Sequence, residues 1–217
     1  MKPTGNSRDE GAQRHAPATL RNRDPILEVL KSRLPDGARV LEIASGTGEH
    51  AAFMAPRLSG AVQWFPSDVD RTALAGIDAH ARAVDCGSIH PARHLDVTKA
   101  GWEADAPDAP DCIFCANMIH IAPWEAALGL LKGARALLAP SGGELLLYGP
   151  FRRDGRHVSD SNVAFDESLR QRNPSWGVRD LEQDVVPAAE RAGLALRACI
   201  DMPANNMIVC FSPAQPA

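Results

Sequence analysis

Apolar positions along the chain alternate between two spacings, one helical and one extended. Ile26, Leu27, Val29, Leu30 and Leu34 recur three or four apart, which predicts a helix. Asp24 is placed to cap it, Pro25 to occupy its first turn, and Pro35-Asp36-Gly37 to end it. Val40, Leu41 and Ile43 then form a dense run that stops at a small, glycine-bearing turn. Helically spaced Ala51, Ala52, Phe53, Met54 and Leu58 follow, so the stretch reads as a strand, a tight loop and a helix over residues 49–58.

The alternation repeats. Val62 to Pro66 predicts a second strand, with Pro66 at its end because a central strand needs the N–H that proline lacks. An alanine-rich helix over 71–84 follows, and His94 to Thr98 reads as the end of a short third strand. Asp111 to Ala116 is the fourth strand, 124–138 an amphipathic helix, and Glu144 to Pro150 the fifth strand. Residues 151–177 are polar and lack regular spacing, which predicts an irregular lid or substrate loop. A helix over 180–192 precedes two apolar runs, Leu194 to Ile200 and Met207 to Phe211, whose short connection predicts an antiparallel hairpin. Strands alternating with helices predict an α/β, Rossmann-like, doubly wound fold. Its seven-stranded sheet is mostly parallel and closes with the C-terminal hairpin. In this reading residues 16–217 form one domain and residues 1–15, polar and without periodicity, a disordered tail.

Composition narrows the partners. With 217 residues the chain suits one domain of this class. The formal net charge is −4 and no basic block occurs, so no nucleic-acid partner is expected. No apolar run approaches about 18 residues and the N-terminus has no hydrophobic core, so neither a membrane span nor a secretory signal is expected, and the location is read as cytoplasmic. Cys112 and Cys115 lie three apart in a strand and would point to opposite faces, which suits core cysteines rather than a metal pair. The seven histidines show no ligand spacing, and no metal is expected.

The loop after the first strand fits two ligands. Gly46-x-Gly48-x-x-Ala51 satisfies a dinucleotide pattern, with Asp68 where a ribose acid would stand. Read from Glu42, the stretch Glu42-x-Ala44-x-Gly46-x-Gly48 resembles motif I of the class I S-adenosylmethionine (SAM)-dependent methyltransferases, with Ala44 in place of the usual first glycine. The second reading gives the buried acid Glu42 a task, and the first leaves it unexplained. Asp68 matches that family's acid after strand two, Leu95-Asp96-Val97 resembles its adenine segment, and Asp111 to Asn117 with His120 resembles its motif IV. Arg21-Asn22-x-x-Pro25-Ile26, Glu42 to Gly48 and Pro203-Ala204-Asn205-Asn206-Met207 look more narrowly like the methyltransferase-like 26 group, also called domain of unknown function 938.

The resemblance implies SAM as cofactor, held by Glu42, Ala44, Ser45, Gly46, Gly48, Asp68, Val69, Asp96, Val97 and Asn117. It implies methyl transfer, with His120 as the candidate base, but identifies no acceptor; the acceptor is read as a small molecule because no basic surface suits RNA or DNA. A structural histidine closing the strand–helix turn is the competing role for His120. Glu42 would orient the loop or the methionine ammonium, or be paired with Arg21, Arg23 or Arg39. Asn22, Tyr148, Trp176, Asn205 and Asn206 are candidates for the acceptor pocket, and Arg152, Arg153 and Arg156 for an anionic acceptor or a solvated face. The rival functions are a non-catalytic SAM-binding module and an NAD(P)-dependent oxidoreductase. The latter lacks a tyrosine–lysine pair, Tyr148 being the only tyrosine.

Overall fold

The structure, a computed structural model, describes residues 17–215, so the N-terminal tail expectation lies outside the described residues. Seven strands form one sheet in the order β3-β2-β1-β4-β5-β7-β6. They are β1 (Arg39–Ile43), β2 (Gln63–Asp68), β3 (Arg93–His94), β4 (Cys112–Ala116), β5 (Glu144–Gly149), β6 (Leu194–Met202) and β7 (Asn206–Pro213). Strands β3 to β5 run parallel, and β7 enters antiparallel between β5 and β6, with Leu147 opposite Val209. This is the Rossmann-like α/β sheet with a closing antiparallel hairpin that the spacing predicted.

Both faces of the sheet are covered, which is why its strands read as continuous apolar runs. Val40, Trp64, Phe114, Leu146 and Ile208 face one core, which helix α1 (Pro17–Arg33) and helix α2 (Glu49–Met54) complete. Leu41, Ile113, Leu145, Leu147 and Val209 face the other, against α4 (Trp124–Leu138) and α6 (Val186–Arg191). Helix α3 (Arg71–Val84) packs on α2 and is capped by Asp70, whose Oδ1 accepts from the Thr72 N–H at 2.8 Å. Cys112 and Cys115 belong to opposite cores, each 1% exposed. Among the described residues no helix is long and apolar enough to cross a membrane.

Four local expectations are corrected. Helix α1 extends back to Pro17, so Pro25 lies inside it and Asp24 is no cap. Pro25 removes the donor for the Arg21 carbonyl, in a stretch bordered by exposed Leu20, Arg21 and Asp24 where water replaces it. Strand β2 continues through Pro66 to Asp68. Trp64 and Asp68 turn their backbone groups to the outer side, toward Ser88, His90 and Leu95, and Pro66 falls on that same side, where β3 is only two residues long. Strand β3 is Arg93–His94, and Asp96 to Thr98 is already turn. Residues 151–177 contain a regular helix, α5 (Asp160–Arg172), capped by Ser159. Its buried positions are Asn162, Asp166 and Leu169, so it has no apolar stripe to announce it.

The predicted helix over 180–192 is present in two parts, a widened turn over Leu181–Val185 and then α6. Pro187, without the N–H that would close on Gln183, sits at the junction.

The loop glycines differ in what they require. Both have positive φ, 59° for Gly46 and 83° for Gly48. A Cβ on Gly48 would stand 2.7 Å from the Ile77 Cα, so α2 and α3 meet there backbone to backbone, whereas a Cβ on Gly46 would meet nothing. Gly46→Ala is expected to lose about 1–2 kcal/mol from backbone strain alone. Gly48→Ala is expected to lose more, about 2–5 kcal/mol, because overpacking adds to the strain. Urea denaturation of the two variants checks the order, and equal losses would refute the α2–α3 contact.

Candidate active site

The carboxyl ends of β1, β2 and β4 meet at one rim, and the loop after β1 lies across it. Glu42, 2% exposed, is its anchor. Its Oε2 accepts from the Ser45 hydroxyl at 2.9 Å and from the Trp64 indole N–H at 3.0 Å. Ser45 Oγ in turn accepts from the Ser67 N–H at 3.1 Å, and the Ser67 hydroxyl donates to the Glu42 carbonyl at 2.6 Å. The end of β1, the loop and the end of β2 are therefore one hydrogen-bonded unit. None of the candidate arginine partners reaches Glu42: Arg23 lies beside Asp24 and over Phe53, and Arg39 over Phe65.

Asp68 closes β2. Its Oδ2 accepts from the Gly46 N–H and its Oδ1 from the Asp70 N–H, both at 2.8 Å. A carboxylate oxygen has two lone pairs, so each oxygen of Asp68 keeps one for a ligand. A cavity of about 380 Å³ opens here, walled by Ser45, Gly46, Thr47, His50, Asp68 and Asn117. The bare Cα of Gly46 leaves that space open, and a side chain would project into it. These groups fit a nucleoside ligand: an acceptor pair for a diol beside a backbone with no side chain in the way. Ala44 holds φ 57° in the same turn, so it bears the strain that the more usual glycine would escape.

A second cavity, about 540 Å³, adjoins the first and shares Asn22, Asn117 and Ile121 with it. Tyr148 and Pro150 wall it from β5 and the segment after it, Asn162 and Phe165 from α5, and Asn206 from the hairpin. Asn117 follows β4 with φ 61°, its N–H donating to the Tyr148 carbonyl at 2.7 Å, and so belongs to both cavities. Asn22 and Tyr148 thus stand where an acceptor pocket was expected.

His50, which sequence reasoning passed over, links the two cavities. Its Nε2 lies 2.9 Å from Asn22 Oδ1, and its Nδ1 lies 3.9 Å from Glu42 Oε1. Asn22 and Tyr148 both line the larger cavity. The available signal was a polar residue in the first turn after Gly48. Asn162 and Phe165 were missed with their helix.

Other candidates are placed differently. His120 is 0% exposed and walls neither cavity. Its Nδ1 accepts from the Arg179 N–H at 3.2 Å, and its ring meets Phe151 edge-on. Burial, with the Arg179 charge behind it, lowers its pKa to about 3. A base must reach its proton, so this geometry corrects the ligand-facing reading and favours the turn-closing one. Trp176 lies off both walls, with the Arg172 guanidinium 5.7 Å from its ring centroid. Asn205 also lies off them, its carbonyl accepting from the Asn162 amide at 3.2 Å. Val69 is 56% exposed just beyond Asp68. Asp96 and Val97 follow β3, whose His94 pairs with Asp68, and Asp96 Oδ1 accepts from the Thr98 N–H at 3.0 Å and its hydroxyl at 2.6 Å. Arg153 and Arg152 pair with Glu182 and Asp184, at 2.6 and 3.6 Å, and wall neither cavity.

The anchor carries a pH signature. Burial raises the Glu42 carboxyl from 4.5 to about 7 and lowers the His50 ring from 6.5 to about 4. A raised acid binds its proton more tightly when folded, so stability from Glu42 falls as pH rises from 4.5 to about 7. A lowered base does the reverse, so stability from His50 is lost as pH falls from 6.5 to about 4. The two slopes oppose each other in the wild type. Glu42→Gln keeps an oxygen for Ser45 and Trp64 but removes one slope. Its stability relative to wild type is expected to rise by about 1–3 kcal/mol between pH 5 and pH 7.5. Urea melts at the two pH values measure this, and a pH-independent difference would place an ionised Glu42 in the fold throughout.

Solved structures of like fold share this arrangement of strands. The O-methyltransferase family 2 protein from Planctomyces limnophilus, in complex with apigenin, superimposes with a TM-score of 0.75 at 16% identity, over 91% of this chain and 58% of that one. The mitomycin 7-O-methyltransferase MmcR gives 0.74 at 14%, over 91% and 54%. CalO1, a methyltransferase of calicheamicin biosynthesis in its SAH-bound form, gives 0.69 at 17%, over 88% and 54%. The chain spans a little over half the length of these proteins. At such identities the likeness establishes the fold, that of SAM-dependent methyltransferases. The family described as "Protein of unknown function (DUF938)" matches residues 13–213, and the chain belongs to that family.

Proposed function

We propose that the protein is a SAM-dependent methyltransferase acting on a small-molecule acceptor. The observation that carries the reading is the Asp68 carboxylate, held by two backbone N–H groups with a lone pair left on each oxygen, beside the bare Cα of Gly46. Asp68 with Val69 would take the ribose, Asp96 and Val97 the adenine, and Asn117 the methionyl end. Ala44, Ser45, Gly46 and Gly48 would pass along the ligand, with Glu42 stiffening them from behind. Asn22 and Tyr148 would meet the acceptor. When bound, the cofactor would supply an electrophilic methyl on a sulfonium, which an acceptor lone pair could take as the S–CH3 bond broke, with sulfur keeping the electron pair and any acceptor proton passing to solvent.

The chain's own part is placement. Asn22, Asn117 and Ile121 form the wall common to both cavities, so groups held on either side are brought together there. No base is assigned, and His120 serves the turn instead. The narrower kinship with the methyltransferase-like 26 group belongs to the same proposal.

Calorimetric titration with S-adenosylhomocysteine is expected to show micromolar binding, and titration with NADH none. Asp68→Ala is expected to weaken S-adenosylhomocysteine at least about tenfold, or about 1.4 kcal/mol. Unchanged affinity would remove Asp68 from the site. Binding without methyl transfer from labelled SAM to any acceptor in a broad metabolite panel would favour a non-catalytic SAM-binding module.

A further inference from the structure

The larger cavity has a charge that the chain as a whole does not. The protein is acidic overall, with a formal net charge of −4. Yet Arg21 and Arg172 wall this cavity and, among the described residues, no aspartate or glutamate does. Neither arginine has an ion pair among the described residues, whereas Arg33, Arg152, Arg153 and Arg170 each have a carboxylate partner. Arg21 comes from α1 and Arg172 from the last turn of α5, so two distant segments bring cations to one space. A concave site lined by one sign of charge concentrates ligands of the other sign.

Tyr148 adds a group of the same kind: burial raises its phenol above the usual range, so it keeps a proton to give toward the cavity it lines. Arg21 acts on the same phenol through its charge. Guanidinium groups offer donors only, the phenol O–H can add one more, and such donors suit an anionic oxygen group. Phe165, Pro150 and Pro203 supply apolar wall, and about 540 Å³ is the size of a small organic molecule.

We propose that this cavity binds a small organic anion as the methyl acceptor, its carboxylate or phosphate held by Arg21 and Arg172 with the Tyr148 hydroxyl donating to it. This rests on the methyltransferase reading for the word acceptor, and on the cavity alone for the anion.

The test is titration of the full-length protein, with and without saturating S-adenosylhomocysteine, by benzoate, phenyl phosphate and the neutral isostere benzamide. At least one of the two anions is expected to bind about tenfold more tightly than benzamide. The tighter of the two identifies carboxylate or phosphate as the recognised group. Arg21→Gln and Arg172→Gln are each expected to weaken the anion about fivefold, and Tyr148→Phe about threefold, with S-adenosylhomocysteine affinity unchanged for the two arginine variants. Both arginines are exposed, and thermal melts verify that the variants fold. Failure of both anions to bind, benzamide binding as tightly as they do, or arginine variants with wild-type anion affinity would overturn the proposal. Arginine-dependent anion binding in a protein that does not take S-adenosylhomocysteine would uphold the anion site and overturn the methyltransferase reading instead.

Discussion

A carboxylic acid with no cation beside it sits at the middle of the sheet. Among the described residues Glu42 is hydrogen-bonded by uncharged donors, the Ser45 hydroxyl and the Trp64 indole, and burying an acid on such terms is costly unless each donor is in place. The cost explains the rigidity around it. Ser45 turns back because its hydroxyl must serve Glu42, which fixes the turn of the loop, and Ser67 closes the arrangement from the next strand. The Gly46 N–H then meets Asp68. The loop is held open from behind, by an acid that walls neither cavity.

Strand order places the rest. From β1 the chain winds outward through β2 and β3, then returns to β4 on the other side of β1. The helices therefore diverge at the β1–β4 boundary, and a crevice forms between them at the carboxyl ends of the strands. Gly46 borders the crevice from β1, Asp68 from β2 and Asn117 from β4. Beyond Asn117 the crevice widens under α1 and α5 into the larger cavity. His50 and Asn22 run beneath this junction, so the floor of the nucleoside-sized space and the wall of its neighbour share side chains.

Much of this was legible in the sequence where apolar burial governs. Strands covered on both faces read as dense runs, and β1, β4, β5, β6 and β7 were found within a residue or two. The loop was legible because glycines at fixed spacing carry a backbone requirement. What failed has a common cause, which is that polar and proline residues were judged by local rules while tertiary packing decided. Pro25 and Pro66 looked like boundaries and lie inside their elements, Pro25 on a helix stretch bordered by exposed residues and Pro66 on the strand side where β3 is only two residues long. Helix α5 buries Asn162 and Asp166 rather than a leucine stripe. His120 had the chemistry of a base, but Gly177 and Arg179 close over it, the former donating to its carbonyl at 2.9 Å and the latter to its ring. His50 had no motif to mark it, because its role comes from contacts with Glu42 and Asn22 that are remote in sequence.

The hairpin bears on how such a molecule comes into being on the ribosome. Strand β7 is made after β6 yet lies inside the sheet, pairing Leu145 with Phe211 and Ile200 with Ile208. Until it emerges, β5 has an open apolar edge and β6 nothing to join, although everything that borders the nucleoside-sized cavity has already been synthesised. The residues that border the nucleoside-sized cavity are thus all made before the strand that completes the sheet. An unpaired edge is a template for another chain, so this interval is when the polypeptide is most exposed to mispairing.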